Sequence, residues 1–180
     1  MTRTRVGYAG GAKENPTYHN LGDHSETIQI DFDPSKISYE RLLEIFWEEH
    51  DPTSRPWSRQ YKAVVFYHHE EQKRLAIASR DRLAIQLGKT IHTEILPFAN
   101  FYAAEDYHQK YYLQQHRQVL RQFQQYYPQA ADLMNSTAAA RVNGYIGGYG
   151  TSASLKADID RLGLSEAARE ELLESVKAKE

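Results

Sequence analysis

Cysteine is absent from this sequence of 180 residues. Its absence excludes disulfides, thiolate metal ligands and a thiol nucleophile within the chain. Long apolar runs are also missing, since none approaches the roughly 20 residues that a membrane-spanning helix needs. The net charge of −2 offers no electrostatic basis for binding nucleic acid or an anionic membrane. Because the first residues do not resemble a secretory signal, we predict a cytoplasmic location.

Hydrophobic periodicity predicts alternating strands and helices. Strands are expected at Arg5–Ala9, at "TIQIDFD", at Tyr61–Tyr67 and at "HTEIL", and Ile28, Ile30 and Phe32 are expected to share one buried face. Helices are expected after Ser38, from Glu70 to Gly88, and through "AEDYHQKYYLQQHRQVLRQFQQYY" up to Pro128. This order predicts an α+β fold, a two-layer sandwich in which helices cover a mixed or antiparallel sheet.

The composition changes after Pro128, where small residues and glycines give way to a charged, amphipathic tail. Leu155, Ile159 and Leu162 match one helical face, and Ser165 is a candidate N-cap for a last helix. We therefore predict two domains, 1–128 and a small helical extension at 129–180. A solvated tail with two marginal helices is the alternative, because short isolated helices are weakly stable in water.

Three polar residues near turns and strand ends form a candidate site. Tyr18 follows an Asn-Pro turn, Glu26 precedes an apolar strand that could partly desolvate it, and Tyr61 begins another predicted strand. One acid and two phenols suit a site that holds and protonates a polar oxygen of a small substrate. Packing for the tyrosines and simple solvation for the glutamate are the alternatives. The histidines are scattered without metal-ligand spacing, so no metal site is predicted.

Several motifs together resemble the peptide methionine sulfoxide reductase A family. They are "VGYAGG", "NPTY", "HSE", "IDFDPSKISYERLLEIFWEEHDPT", "RQYKAVVFYH" and "TEILPFANFYAAEDYHQKYY", in this order from about Arg5 to Tyr112. The resemblance implies reduction of the S epimer of methionine sulfoxide, free or in proteins. It implies Glu26 as the acid, and Tyr18 and Tyr61 as hydrogen-bond donors to the sulfoxide oxygen. It implies no bound cofactor, only an external thiol reductant such as thioredoxin, glutaredoxin or glutathione.

Two features depart from the family pattern. The nucleophilic cysteine or selenocysteine of the family lies in a Gly-Cys-Phe-Trp-Gly motif before the VGYAGG segment, and this motif is absent together with the first strand and helix. The family also has an aspartate in a loop before Gln-Tyr, where this sequence has "SRPWSRQY" with Pro56 at the corresponding offset. Trp57 could partly fill the space that the missing aspartate loop leaves.

Two hypotheses account for the missing nucleophile. In the first, the chain is an N-terminally incomplete product, and the thiol or selenol belongs to a segment upstream of Met1. In the second, the chain is a cysteine-less, non-catalytic module that binds methionine or methionine sulfoxide side chains through Glu26, Tyr18 and Tyr61. Both hypotheses predict that the 1–180 chain alone is inactive as a reductase.

Overall fold

A computed structural model describes residues 2–180, except for the side chain of Arg59. The chain divides into two compact units, one formed by Val6–Ala104 and one by the residues up to Arg5 together with Glu105–Glu180. The strands are β1 (Arg3–Ala9), β2 (Ser25–Asp31), β3 (Val64–Tyr67), β4 (Glu94–Pro97) and β5 (Phe101–Ala103). The α-helices are α1 (Tyr39–Glu48), α2 (Glu70–Leu87), α3 (Tyr111–Gln114), α4 (Arg117–Tyr126), α5 (Ala130–Asn135), α6 (Thr137–Ile146), α7 (Ser152–Asp158) and α8 (Glu166–Lys177).

The strands of the Val6–Ala104 unit form two separate sheets. One has the order β2-β1-β5, in which β1 and β5 are antiparallel, and the other consists of the parallel pair β3 and β4. Helices α1 and α2 contact each other, and α2 also contacts β3 and β4. This mixed pairing with covering helices confirms the predicted α+β class. Strand β5 was not predicted, because three residues carry too little periodicity to be recognised.

Capping residues in the sequence correctly predicted the start of α1 and the end of α2. The Ser38 side chain accepts a hydrogen bond from the Arg41 amide at 3.2 Å and caps the start of α1. Gly88 ends α2 in the left-handed conformation, with φ of 62°. Both are the cap geometries that these residue types favour. The expectation for Ile28 was wrong, because this side chain is 56% exposed rather than buried on one face of β2.

The helical unit has a single cluster of buried side chains that its helices share. Its members are Leu113, Val119, Phe123, Leu133, Ala139, Val142, Tyr145, Ile146, Leu155, Ile159, Leu162, Leu164, Ala168, Leu172 and Val176. The apolar positions predicted for the tail are therefore buried. Ser165 accepts a hydrogen bond from the Ala168 amide at 3.4 Å, as predicted for the N-cap of α8. This burial excludes the alternative of a solvated tail.

The long helix predicted before Pro128 is broken into shorter pieces. Lys110 adopts a left-handed conformation with φ of 51°, which a continuous right-handed helix cannot contain. A 3-10 turn at Asp106–His108 precedes it, and α3 and α4 follow. The predicted boundary at residue 128 stays a prediction, and along the chain the two compact units change over after Arg5 and after Ala104. Within residues 2–180, no helix combines the length and apolar character needed to cross a membrane.

Candidate active site

A tight loop between β1 and β2 forms the first part of the candidate site. Gly10 has φ of 80°, and a Cβ at this position would lie 2.6 Å from the ring of Phe66. At Gly11, a Cβ would lie 2.6 Å from both the Asp23 carboxylate and the His24 amide nitrogen. The chain can therefore fold back on itself here only because both residues lack side chains.

Asp23 and His24 bind the backbone of this loop. The Asp23 carboxylate accepts hydrogen bonds from the Ala12 amide at 2.9 and 3.0 Å and from the Lys13 amide at 3.3 Å. The hydrogen bond from Ala12 is the main cause that lowers the pKa of Asp23 below its ordinary value. These bonds fix the loop that leads into β2 and therefore the approach to Glu26.

His24 is completely buried behind the same loop. Its Nδ1 accepts a hydrogen bond from the Gly11 amide at 3.1 Å, and its Nε2 lies 2.7 Å from the Lys13 carbonyl oxygen. The two partners assign the tautomer with hydrogen on Nε2, since the Nδ1 position must accept and the Nε2 position must donate. Sequence reasoning missed both Asp23 and His24 because their partners are backbone groups of an irregular loop.

Glu26 is the second residue of β2 and lies on the surface, so the predicted desolvation of its carboxyl was wrong. Its Oε1 accepts a hydrogen bond from the Gln60 side-chain amide at 2.6 Å. Gln60 belongs to a 3-10 turn, Arg59–Tyr61, which contacts β2. This turn therefore places Gln60, the sequence neighbour of Tyr61, against the Glu26 carboxylate.

Tyr61 ends that 3-10 turn, and β3 begins only at Val64. The prediction that Tyr61 starts the strand was therefore wrong. The Trp57 ring lies against the Tyr61 ring, with 4.8 Å between their centroids and 33° between their planes. Tyr61 is 47% exposed and Trp57 is 83% exposed, so both rings remain available to a ligand.

Tyr18 lies in the loop that follows Asn15, whose φ is 49°, and Pro16. A backbone bridge between Thr17 and Asn20 closes the turn around Tyr18. The Tyr18 ring meets the His19 ring edge to face at 5.4 Å and is 40% exposed. Tyr18, Glu26 and Tyr61 thus all reach the surface of the same unit. Their shared role in a reaction stays a prediction.

A cavity of about 320 Å³ lies beside Glu26. We call it the β2–β3 cavity, because its lining runs along residues 25–30 and 62–66 and is completed by side chains that include Leu42, Leu43 and Phe46 of α1. Most of these side chains are apolar. Among the described residues, no group of three or more histidine, aspartate or glutamate side chains could hold a metal ion.

Comparison with known proteins identifies the family. The model of the peptide methionine sulfoxide reductase family matches residues 1–142, and a model described as the helical domain of selenoprotein methionine sulfoxide reductase A matches residues 130–177. A peptide methionine sulfoxide reductase of Drosophila melanogaster is 41% identical over 172 residues, which cover 94% of this chain and 69% of the relative. The Methanosarcina acetivorans enzyme is 44% identical over 123 residues, covering 62% and 65% of the two chains.

A solved structure supports the same relationship. Methionine sulfoxide reductase A of Corynebacterium diphtheriae has a TM-score of 0.53 and 30% sequence identity, and the match covers 62% of each chain. The matched regions span 65% to 69% of the length of the two curated relatives named here. Matches to the family model over most of the chain and to these relatives lead to one conclusion: the chain belongs to the peptide methionine sulfoxide reductase family.

Proposed function

We propose that this chain supplies the acid and the phenols of a peptide-methionine (S)-S-oxide reductase, which repairs oxidised methionine in proteins or as the free amino acid. Glu26 is the general acid, and the Tyr18 and Tyr61 hydroxyls donate hydrogen bonds to the sulfoxide oxygen. The observation that carries the proposal is the hydrogen bond, 2.6 Å long, from the side-chain amide of Gln60 to the Glu26 carboxylate in a chain of this family. Gln60 is the sequence neighbour of Tyr61.

The chemistry explains why an acid is needed. Reduction converts one sulfoxide and two thiols into one thioether, one disulfide and one water, so the sulfoxide oxygen must gain two protons as its bond to sulfur breaks. A positioned acid that delivers one of them accelerates such a step by roughly 10²–10⁴-fold. Because Glu26 is exposed, water can return the proton after each cycle.

The nucleophile must come from outside residues 1–180, because the sequence contains no cysteine. We propose that a segment of a longer product carries it as cysteine or selenocysteine, and that a thiol reductant such as thioredoxin, glutaredoxin or glutathione then completes the cycle. Without that segment the chain should not reduce a sulfoxide. The cytoplasm, where such reductants keep thiols reduced, is the compartment that fits this chemistry.

Calorimetric titration of the 1–180 chain with a methionine sulfoxide peptide tests the binding role of Glu26 and Tyr61. We expect Glu26→Gln and Tyr61→Phe each to weaken binding by about tenfold, which corresponds to about 1.4 kcal/mol. Glu14→Gln is the matched control, since Glu14 is also an exposed glutamate of the same unit. Equal affinity of the parent chain and the Glu26→Gln variant would remove Glu26 from the site.

A turnover assay separates the two hypotheses about the nucleophile. With dithiothreitol and the sulfoxide, we expect no rate above buffer for the 1–180 chain. A longer product that contains the upstream thiol should restore turnover, and Glu26→Gln should lower it. If the longer product binds sulfoxide but never turns it over, the chain is a binding module instead.

A further inference from the structure

The loop before the Arg59–Tyr61 turn presents the side chain of Trp57 to solvent. This side chain is 83% exposed, although tryptophan is highly buried on average. An indole ring offers a large, rigid contact surface, and tryptophan is enriched among the residues that contribute most to binding at interfaces. An indole left in water beside a candidate active site therefore indicates a contact surface for a ligand.

Trp57 is held in place by its neighbours in the sequence. Pro56 precedes it, and a proline ring fixes its own φ. After it, the Ser58 hydroxyl accepts a hydrogen bond from the Gln60 amide at 3.2 Å, and the Ser58 carbonyl oxygen accepts one from the Tyr61 amide at 3.2 Å. These two bonds form the 3-10 turn that follows Trp57. Because the indole sits on a restrained loop, less conformational freedom is lost when a ligand contacts it.

The indole covers one face of the Tyr61 ring. The centroids of the two rings are 4.8 Å apart, and their planes differ by 33°. Rings lying side by side could not bring their centres so close, so these two overlap face to face. A hydrogen bond from the Tyr61 hydroxyl lies near the plane of its ring and points away from it. Trp57 therefore forms a wall beside the position proposed for the sulfoxide oxygen.

The same short turn connects this wall with the candidate acid. The side-chain amide of Gln60, three positions after Trp57, donates its hydrogen bond to Glu26 Oε1 at 2.6 Å. Tyr61 follows directly, and the Trp57 ring lies against it. A substrate held by Glu26 and Tyr61 would therefore extend past an exposed indole.

The two forms of the substrate differ in what they offer to an indole. Free methionine sulfoxide carries an ammonium and a carboxylate group next to its side chain. The face of an aromatic ring attracts the first and repels the second, so the zwitterion gains little from this contact. Methionine sulfoxide within a peptide has uncharged amides there, and side chains on both sides. A large apolar or aromatic neighbour can stack on the indole and remove its apolar surface from water.

We propose that Trp57 is a specificity-determining residue that contacts the side chain next to methionine sulfoxide in a peptide. It favours substrates with a large apolar or aromatic neighbour over those with a small neighbour and over the free amino acid. This inference rests on the proposed function for the position of the sulfoxide at Glu26 and Tyr61. The contact covers an indole that is 83% exposed in the free chain.

Calorimetric titration of the 1–180 chain with a matched pair of peptides tests this inference. Both peptides have methionine sulfoxide at the centre, flanked on each side by phenylalanine in one and by glycine in the other. We expect the parent chain to bind the phenylalanine peptide about tenfold more tightly, which corresponds to about 1.4 kcal/mol. Trp57→Ala should bind the two peptides with nearly equal affinity. Trp57→Phe keeps an aromatic ring and should retain most of the preference.

Ile85→Ala is the matched control, because Ile85 is a large apolar side chain of the same unit and is also 83% exposed. This variant should keep the preference for the phenylalanine peptide. The pair of peptides also separates a lost contact from a distorted site. Loss of the indole contact weakens only the binding of the phenylalanine peptide, whereas displacement of Tyr61 would weaken the binding of both peptides equally.

Fluorescence provides a second measurement. The sequence contains two tryptophans, and the other one, Trp47, is partly buried and donates its indole N–H to the Ser79 hydroxyl at 3.1 Å. Binding of the phenylalanine peptide should shift the emission of the parent chain to shorter wavelength and reduce its quenching by acrylamide, because the Trp57 ring becomes covered. Neither change should occur in Trp57→Ala.

The outcomes separate this inference from the proposed function. Equal affinity of the parent chain for the two peptides, or a preference that survives in Trp57→Ala, would overturn the role of Trp57. Binding that still depends on Glu26 would then leave the proposed function standing. A preference that requires Trp57 but is the same for unoxidised peptides and for Glu26→Gln would support the Trp57 contact and count against the proposed function. Absence of binding by either peptide would overturn both.

Discussion

Lys110 places an ammonium group in the interior of the helical unit, where it is 5% exposed. Its Nζ donates hydrogen bonds to the carbonyl oxygen of Thr4 at 2.5 Å, to the Thr4 hydroxyl at 3.2 Å and to the carbonyl oxygen of Met134 at 2.8 Å. Burial lowers the pKa of Lys110 to about 8, and the nearby charge of Arg5 adds to this effect. The side chain therefore joins the start of the chain to the helices while titrating in an accessible pH range.

This pKa predicts a dependence of stability on pH. The unfolded chain keeps its lysine proton up to a pKa of about 10.4, so above about pH 8 the unfolded state binds more protons than the folded state. The contribution of Lys110 to the free energy of unfolding should therefore rise between about pH 8 and 10 and stay constant below that window. We therefore expect the free energy of unfolding of the parent chain, measured in urea, to rise with pH relative to that of Lys110→Met.

Lys156→Met is the control for this measurement, because Lys156 is an exposed lysine of the same unit. Its effect on the free energy of unfolding should not change over the same pH range. A difference for Lys110→Met that is equally independent of pH would show that burial does not perturb this ammonium group.

At the scale of elements, two glycines near the end of α6 respond in opposite ways to substitution by alanine. Gly144 lies within the helix, and a Cβ there would meet nothing within 4 Å. Gly144→Ala should therefore raise the free energy of unfolding by about 0.5–1 kcal/mol. Gly148 lies just beyond the helix with φ of 92°, a conformation that disfavours alanine. Gly148→Ala should lower stability by about 1 kcal/mol.

Thermal or urea unfolding followed by circular dichroism measures both substitutions, and each variant is the control for the other. They make the same chemical change a few residues apart, so a common effect on expression or solubility would shift them in one direction. Opposite signs support the assigned helix end. A loss of stability in Gly144→Ala would mean that the helix is distorted at that position.

The elements show which features of the fold could be predicted from the sequence. Caps at Ser38, Gly88 and Ser165 were predicted correctly because each acts through bonds within a few residues. The break at Lys110 was not predicted, since nothing in the helical pattern indicates a left-handed residue held by a distant Thr4 carbonyl. Helix caps can be predicted from the sequence because their hydrogen bonds are local. Breaks that depend on contacts with distant residues cannot.

The candidate site follows the same rule. Residue types and motifs selected Glu26 and Tyr61, but the prediction placed Tyr61 on a strand and Glu26 in a partly desolvated position. In the structure, Tyr61 ends a 3-10 turn, and the exposed Glu26 carboxylate accepts a hydrogen bond from Gln60. The Gln60 contact spans 34 positions of sequence, and no local pattern reveals a pair that distant.

At the scale of the whole molecule, the two units differ in how much apolar surface they bury. The helical unit has one shared cluster of 15 buried residues, from Leu113 to Val176. In the Val6–Ala104 unit, the described clusters are smaller, with Tyr8, Leu21 and Ala104 in one and Leu43, Val65 and Ala76 in the other. Since burial is the main favourable term in folding, the helical unit should be the more stable of the two.

Hydrogen exchange followed by mass spectrometry measures this difference directly. We expect the slowest amide exchange in α6 and α8. Exchange should be faster in β2 and β3, whose residues line the β2–β3 cavity. Leu172→Ala removes a completely buried side chain from the helical cluster and should cost about 2–5 kcal/mol. Exchange in α6 and α8 should then accelerate together, while exchange in β2 and β3 should not change. Acceleration throughout the chain would instead show that both units unfold as one cooperative body.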